Sequence, residues 1–148
     1  MDDDDAMGLA LEEARAALDH GDVPVGAVLL VGDRVLAQRH NERESTNDPT
    51  AHAELLALRD GALALSRWRL DDATLVVTLE PCAMCAGALV NARIGRVVFG
   101  AVDPKWGACG SLYNLAVDPR LNHEFELTPG VRAAECAELL TAFFAQRR

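Results

Sequence analysis

The sequence predicts an α/β sandwich on a mixed central sheet, and three observations carry this. Short, β-branched apolar runs alternate along the chain with longer stretches of helical periodicity, the pattern of strands covered by helices. The first two runs are separated by Gly32-Asp33, a two-residue hairpin signal, so at least one strand pair is antiparallel. Hydrophobic residues make up 50% of the 148, which supplies a core for one domain of ordinary size and excludes a disordered chain.

In chain order, residues 1–5 read as an acidic, solvated tail and residues 6–148 as one domain. Met7, Leu11, Ala14 and Leu18 recur at helical spacing, so Met7 to His20 is a helix that Gly21 stops. Val25 to Val31 is a buried strand, and Arg34 to Arg39 returns as a second. Asn41 to Asp48 is polar and loop-like. Asp48-Pro49 then opens a helix, with Asp as N-cap and Pro as first helical residue; Leu55, Leu56 and Leu58 give it an apolar face. Thr74 to Leu79 is a third strand. Pro81 starts the next helix, which ends before Gly95, and Val97 to Phe99 is a fourth strand. Asp103 to His123 is long and bears Gly and Asn, a length that in a compact domain marks function or disorder. Phe125 to Leu127 is a short fifth strand. Ala134 to Arg148 is a last helix with Cys136, Leu139, Leu140, Phe143 and Phe144 on its apolar side.

Net charge is −9, from 14 basic and 23 acidic residues. That argues against a sequence-blind nucleic-acid binder, which gains affinity by neutralising phosphates, and leaves room for a local basic patch. Lys105 is the single Lys, and the other basic residues are Arg, suited to bidentate phosphate contact and equally ordinary on a surface. No apolar run approaches the roughly 20 residues that span a bilayer. The acidic start is the reverse of a secretory signal, so a cytoplasmic protein without membrane association is expected. In a reducing compartment the close pair Cys82 and Cys85 reads as metal-binding or redox-active. Cys109 and Cys136 read as small buried hydrophobes.

The chemistry concentrates in "PTAHAELLALRDG" (Pro49–Gly61) and "TLEPCAMCAGALV" (Thr78–Val90). Positions i and i+3 share a helix face, so Cys82 and Cys85 can reach one ion. In a first helical turn, unpaired N–H groups and the macrodipole favour the thiolate, the form that binds zinc. Alone, C-x-x-C also fits a redox pair or a structural zinc knuckle. His52 and Glu54, two apart on a helix, lie about 200° apart around its axis and cannot share a side face. Near a helix start they can still converge beyond its end. Three protein ligands, His52, Cys82 and Cys85, with one open position describe a catalytic rather than a structural zinc. Glu54 is then free to take a proton from an activated water and hand it to a leaving group. This His-x-Glu and Pro-Cys-x-x-Cys combination is the signature of zinc deaminases.

With those blocks, "DVPVGAVL" (Asp22–Leu29), "DPTAHAE" (Asp48–Glu54), "RIGRVVFGA" (Arg93–Ala101) and "LNH" (Leu121–His123), the chain closely resembles the bacterial tRNA-specific adenosine deaminases of the cytidine-deaminase-like superfamily. The flanking blocks favour this branch over the cytidine, guanine and riboflavin-pathway branches. The resemblance implies a three-layer α/β/α sandwich, a homodimer, one zinc per chain and no organic cofactor. It implies hydrolytic conversion of adenosine to inosine at the wobble position of a tRNA anticodon, with the base flipped into the pocket and Glu54 moving protons. By position it implies that Asn41 binds the base, that Val23, Pro24 and Val25 form the pocket wall, and that Leu79 and Glu80 lie beside the site. Asp103 and Lys105 match a loop on the RNA backbone. Phe144, Arg147 and Arg148, with Phe143, match a C-terminal segment that holds the anticodon loop.

Val102, Trp106 and Cys109 depart from the family pattern. Trp106 can stack on a base or pack between copies. Arg39, Arg43, Lys105, Arg147 and Arg148 are candidates for the basic patch. The alternatives are a deaminase of a free base or nucleoside (guanine or cytosine), a non-catalytic zinc module that binds RNA or a protein, and a thiol redox protein.

Overall fold

The computed structural model describes residues 1–147, so Arg148 lies outside the described residues. The strands are β1 (Gly26–Val31), β2 (Arg34–His40), β3 (Ala73–Leu79), β4 (Arg96–Ala101) and β5 (Glu126–Thr128). The helices are α1 (Asp3–Ala17), α2 (Arg43–Thr46), α3 (Ala53–Leu65), α4 (Ala83–Asn91) and α5 (Ala133–Ala145). The strands form one sheet in the order β2-β1-β3-β4-β5. β1 is antiparallel to both β2 and β3, whereas β3, β4 and β5 are parallel, so the sheet is mixed as the hairpin predicts.

Strand periodicity makes two cores, because successive side chains point to opposite faces. Ala27, Leu29, Leu75, Val77, Val97 and Phe99 face α3 and α4 and meet Ala53, Ala57, Leu58, Ala86 and Leu89 there. The intervening Val28, Leu30, Val76 and Val98 pack on Ala6, Met7, Ala10 and Leu11 of α1 and on Cys136 of α5. The result is the three-layer α/β/α sandwich. Strands covered on both faces read as continuous apolar runs rather than as alternations. α1 lies directly on the start of β1: a Cβ at Gly26 would sit 1.9 Å from the Ala10 carbonyl oxygen.

The acidic run is largely exposed, as composition predicts, but it caps and opens α1 rather than forming an irregular tail. Asp2 is the N-cap of α1, its Oδ1 accepting from the Asp5 N–H at 2.8 Å, and Asp3, Asp4 and Asp5 form the first turn. Carboxylates there complement the helix dipole. Asp3 also accepts two hydrogen bonds from the Arg96 guanidinium, at 2.7 and 2.8 Å.

Two helices begin later than the sequence predicts. Asp48-Pro49 forms a turn in which Asp48 Oδ1 accepts from the N–H and the hydroxyl of Thr50, both at 2.8 Å. α3 therefore starts at Ala53 with His52 as its N-cap. α4 starts at Ala83 with Cys82 as its N-cap. The polar stretch after β2 contains the short helix α2, where composition predicts a loop. Among the described residues no helix is long and apolar enough to cross a membrane.

Candidate active site

The late helix starts remove the geometric objection to His52 and Glu54. His52 has extended backbone (φ −80, ψ 147), so it precedes the helix on which Glu54 sits and is not bound to helical spacing. Cys82 is likewise extended (φ −75, ψ 176) while Cys85 lies in the first turn of α4. His52 Nδ1 stands 3.7 Å from Cys82 Sγ and 3.5 Å from Cys85 Sγ, and the three ligand atoms all lie within 4.8 Å of one another.

This donor set fits a zinc ion. With zinc–sulfur bonds of about 2.3 Å and zinc–nitrogen bonds of about 2.05 Å, a tetrahedral site has a nitrogen–sulfur edge of about 3.6 Å. The two observed distances straddle that edge. Cysteine binds zinc as the thiolate, so a cation here would displace the thiol protons. Cys82 is pulled down to about 4, first by the hydrogen bond from Cys85 and then by His52, while Cys85, hydrogen-bonded to Cys82 and buried, is pushed far up. The hydrogen bond with Cys82 raises the pKa of His52. Glu54 is 4% exposed, and burial pushes its carboxyl up to about 7 against the pull of His52.

His52, Glu54 and Cys82 lie at the floor of a cavity of about 710 Å³, with Cys85 fully buried next to them. Its walls come from the segments around the sheet end: Val23 and Val25 entering β1, Asn41 leaving β2, Leu79 closing β3, Asp103 and Lys105 after β4, and Phe144 on α5. The structure thus brings together most of the residues singled out in the sequence. Pro24 is buried beside the two valines and does not line the cavity. Arg147 lines a neighbouring groove of about 500 Å³ instead, which shares Val23, Arg43 and Phe144 with the cavity. Its guanidinium lies 3.8 Å from the centre of the Phe143 ring and donates to the Gly21 carbonyl at 3.1 Å. Arg39 is taken up by Asp60 and Glu42, at 2.8 and 2.7 Å, which removes it from the candidate basic patch. Met84, Val102 and Leu140 line the cavity without having been singled out as wall residues. Met84 could have been found, since it sits between the two Cys in the first turn of α4.

Two polar side chains set the walls. Asn41 Oδ1 accepts from the Ala53 N–H at 2.9 Å, which satisfies an orphan donor of α3 and leaves the Asn41 amide NH₂ to the cavity. Glu80 is 2% exposed and accepts from the N–H groups of Asp103 (3.0 Å), Cys109 (3.1 Å) and Ser111 (3.0 Å) and from the Ser111 hydroxyl. Burial alone would raise the pKa of Glu80, but these donors hold it below the usual carboxylate value. Gly107 leaves the room this requires, since a Cβ there would stand 2.3 Å from the Glu80 carboxyl. Glu80 therefore ties the loop after β4 to the turn that carries Cys82.

Residues 1–148 match the MafB19-like deaminase family. The tRNA-specific adenosine deaminase of Bacillus subtilis (strain 168) is 49% identical over 142 residues, 96% of this chain and 88% of that protein. A solved structure from a study of A-to-I editing by tRNA:A34 deaminases at the wobble position of transfer RNA superposes with a TM-score of 0.89 at 45% identity, over 92% of this chain and 99% of that one. A guanine deaminase from Nitrosomonas europaea superposes at 0.82 but with 25% identity, over 96% and 84% of the two chains. The fold is thus common to both substrate classes, while near-half identity along almost the whole length is not. The chain belongs to the family of tRNA-specific adenosine deaminases.

Proposed function

We propose that the protein converts adenosine to inosine at the wobble position of tRNA anticodons, with one zinc ion held by His52 Nδ1 and the Sγ atoms of Cys82 and Cys85. The observation that carries the chemistry is a buried carboxylate, Glu54, beside three converging donors that do not include it. Bound there, zinc would supply a Lewis acid that brings the pKa of a water toward neutrality. Glu54 takes a proton from the attacking water and gives it to N1 of the purine as the oxygen adds at C6. Glu54 then carries the second proton to the C6 amine, which leaves as ammonia. Adenosine and water become inosine and ammonia.

The Asn41 amide donates to an acceptor on the base, and Val23, Val25 and Leu79 pack against its ring. Flipping a wobble base into the cavity costs little because that base is already unpaired. Arg43, Lys105 and Arg147 serve the phosphates, Asp103 accepts from a ribose hydroxyl, and Phe144 borders the loop. The groove that continues the cavity suits a polynucleotide better than a free base, which needs no second compartment. A homodimer and the lack of an organic cofactor belong to the same reading and rest on the resemblance, and a cytoplasmic location rests on the composition of the sequence.

The test is inosine formation by zinc-loaded protein on an anticodon stem-loop with adenosine at the wobble position, beside a scrambled loop and free guanine. Inosine at the wobble position alone is expected. Turnover of guanine without inosine, from protein that carries zinc, would replace the substrate in this reading.

A further inference from the structure

We infer that Trp106 is a stacking platform for a base next to the target adenosine, a role that rests on the substrate reading above. Trp106 lines the same cavity as Glu54, yet it is 71% exposed while Glu54 is 4% exposed. The indole is therefore at the mouth and the carboxylate at the floor. Val102 and Phe144, at 59% and 50% exposure, line the cavity with it, so the mouth has an apolar rim.

The backbone under Trp106 is held on both sides. Asp103 Oδ1 accepts from the N–H groups of Lys105 (3.1 Å) and Trp106 (3.2 Å), and the Gly107 N–H donates to the Asp103 carbonyl (2.8 Å). Gly107 forms an isolated bridge with Cys82, and the Ala108 N–H donates to the Pro81 carbonyl at 2.8 Å. Glu80 fastens Asp103 and Cys109 to the same turn. A large apolar side chain is thus presented to solvent from a backbone anchored to the turn that bears a metal ligand. Little ordering entropy remains to oppose contact with a ligand.

The chemistry of the substrate supplies the occupant. A base flipped into the cavity leaves its neighbour in the loop unstacked on one face, and an aromatic ring beside the mouth can replace the lost partner. Lys105, the residue immediately before Trp106 and also in the cavity lining, places a cation beside the indole, where it can meet the accompanying phosphate. In a chain of net charge −9, stacking supplies affinity that long-range attraction does not. The other tryptophan stands apart: Trp68 packs under the Arg93 guanidinium, 5.8 Å from its ring centre.

Because the chain has 2 Trp, Trp68→Phe leaves Trp106 as the sole indole reporter. Zinc-loaded protein carrying Trp68→Phe and Glu54→Ala is titrated with the anticodon stem-loop and with loops made abasic at either neighbour of the wobble position. Quenching of Trp106 that weakens when one neighbour is abasic is expected. In parallel, Trp106→Ala should raise KM for the stem-loop about tenfold with kcat, zinc content and molecular mass unchanged, and Trp106→Phe should restore most of the loss. Unchanged KM in an enzyme whose wild type makes inosine would overturn the platform and leave the substrate reading intact. So would quenching indifferent to both abasic loops, and so would a fall in molecular mass of Trp106→Ala, which would make this a contact between copies. A wild-type enzyme that makes no inosine would remove the substrate reading, and this role with it.

Discussion

The floor of the cavity holds His52, Glu54 and Cys82, with Cys85 buried next to them, all at the starts of two helices, whereas its rim carries Val102, Lys105 and Trp106 on an irregular loop and Phe144 on α5. The floor is buried or half-buried and set by helix ends, where extended N-cap residues let neighbouring side chains converge on one point. The rim is exposed and depends on one carboxylate, Glu80, that gathers the loop by four hydrogen bonds. On the proposed function, bond-making chemistry rests on local backbone geometry and substrate choice on a long-range anchor. The guanine deaminase of similar fold fits this division, since a shared sandwich is compatible with another substrate.

Breaking the floor should have the largest effect. Cys82→Ala removes one of the three converging donors and should abolish both metal retention and inosine formation. Dialysis against a chelator should do the same to the wild type, with activity restored by added zinc; metal analysis beside an inosine assay reads both. Breaking the anchor should come next. Glu80→Ala leaves the Asp103, Cys109 and Ser111 donors without their acceptor and should cost about 3 kcal/mol in denaturant unfolding. The metal should stay and KM should rise more than kcat falls, whereas Glu80→Gln, which keeps two acceptor lone pairs, should lose less.

Asn41 belongs to both regions and sharpens the distinction. Asn41→Ala should cost about 1 kcal/mol as α3 loses an acceptor at its start, and should also raise KM by removing a donor to the base. The smallest effect lies outside the site. Asp3 is held below its ordinary 3.8 by the hydrogen bond from Arg96, against a smaller opposing effect of burial. Its contribution is therefore complete above pH 3.8 and is lost as pH falls through the lower folded value. Asp3→Asn should cost about 0.5 kcal/mol near neutrality, since the pair is a third exposed and screened, and the gap to wild type should close below that pH. Unfolding across a pH series reads the difference, and inosine formation should not change.

What the sequence shows and what it hides follow the same division. The sheet strands and the cluster of His52, Cys82 and Cys85 are legible because β-branched runs, a hairpin turn and Pro-Cys-x-x-Cys act over a few residues. The start of α3 is not: Asp48 looks like its cap but bonds Thr50, and the acceptor for Ala53 comes from Asn41, twelve residues back. The acidic run looks like a tail because its partner Arg96 is 93 residues away. The role of Glu80 is hidden for the same reason, as its donors lie 23 to 31 residues further on in a loop without periodicity. Arg39 reads as a surface cation because only Glu42 is close in sequence, while Asp60, which completes its pairing, lies 21 residues on.

The most direct test compares Glu54→Ala with the wild type for zinc per chain and inosine per minute on the same stem-loop. If Glu54 moves protons and binds no metal, the variant should keep one zinc and lose activity by about 10²- to 10⁴-fold. A zinc-replete Glu54→Ala protein that deaminates at the wild-type rate would contradict the proposed chemistry of the floor.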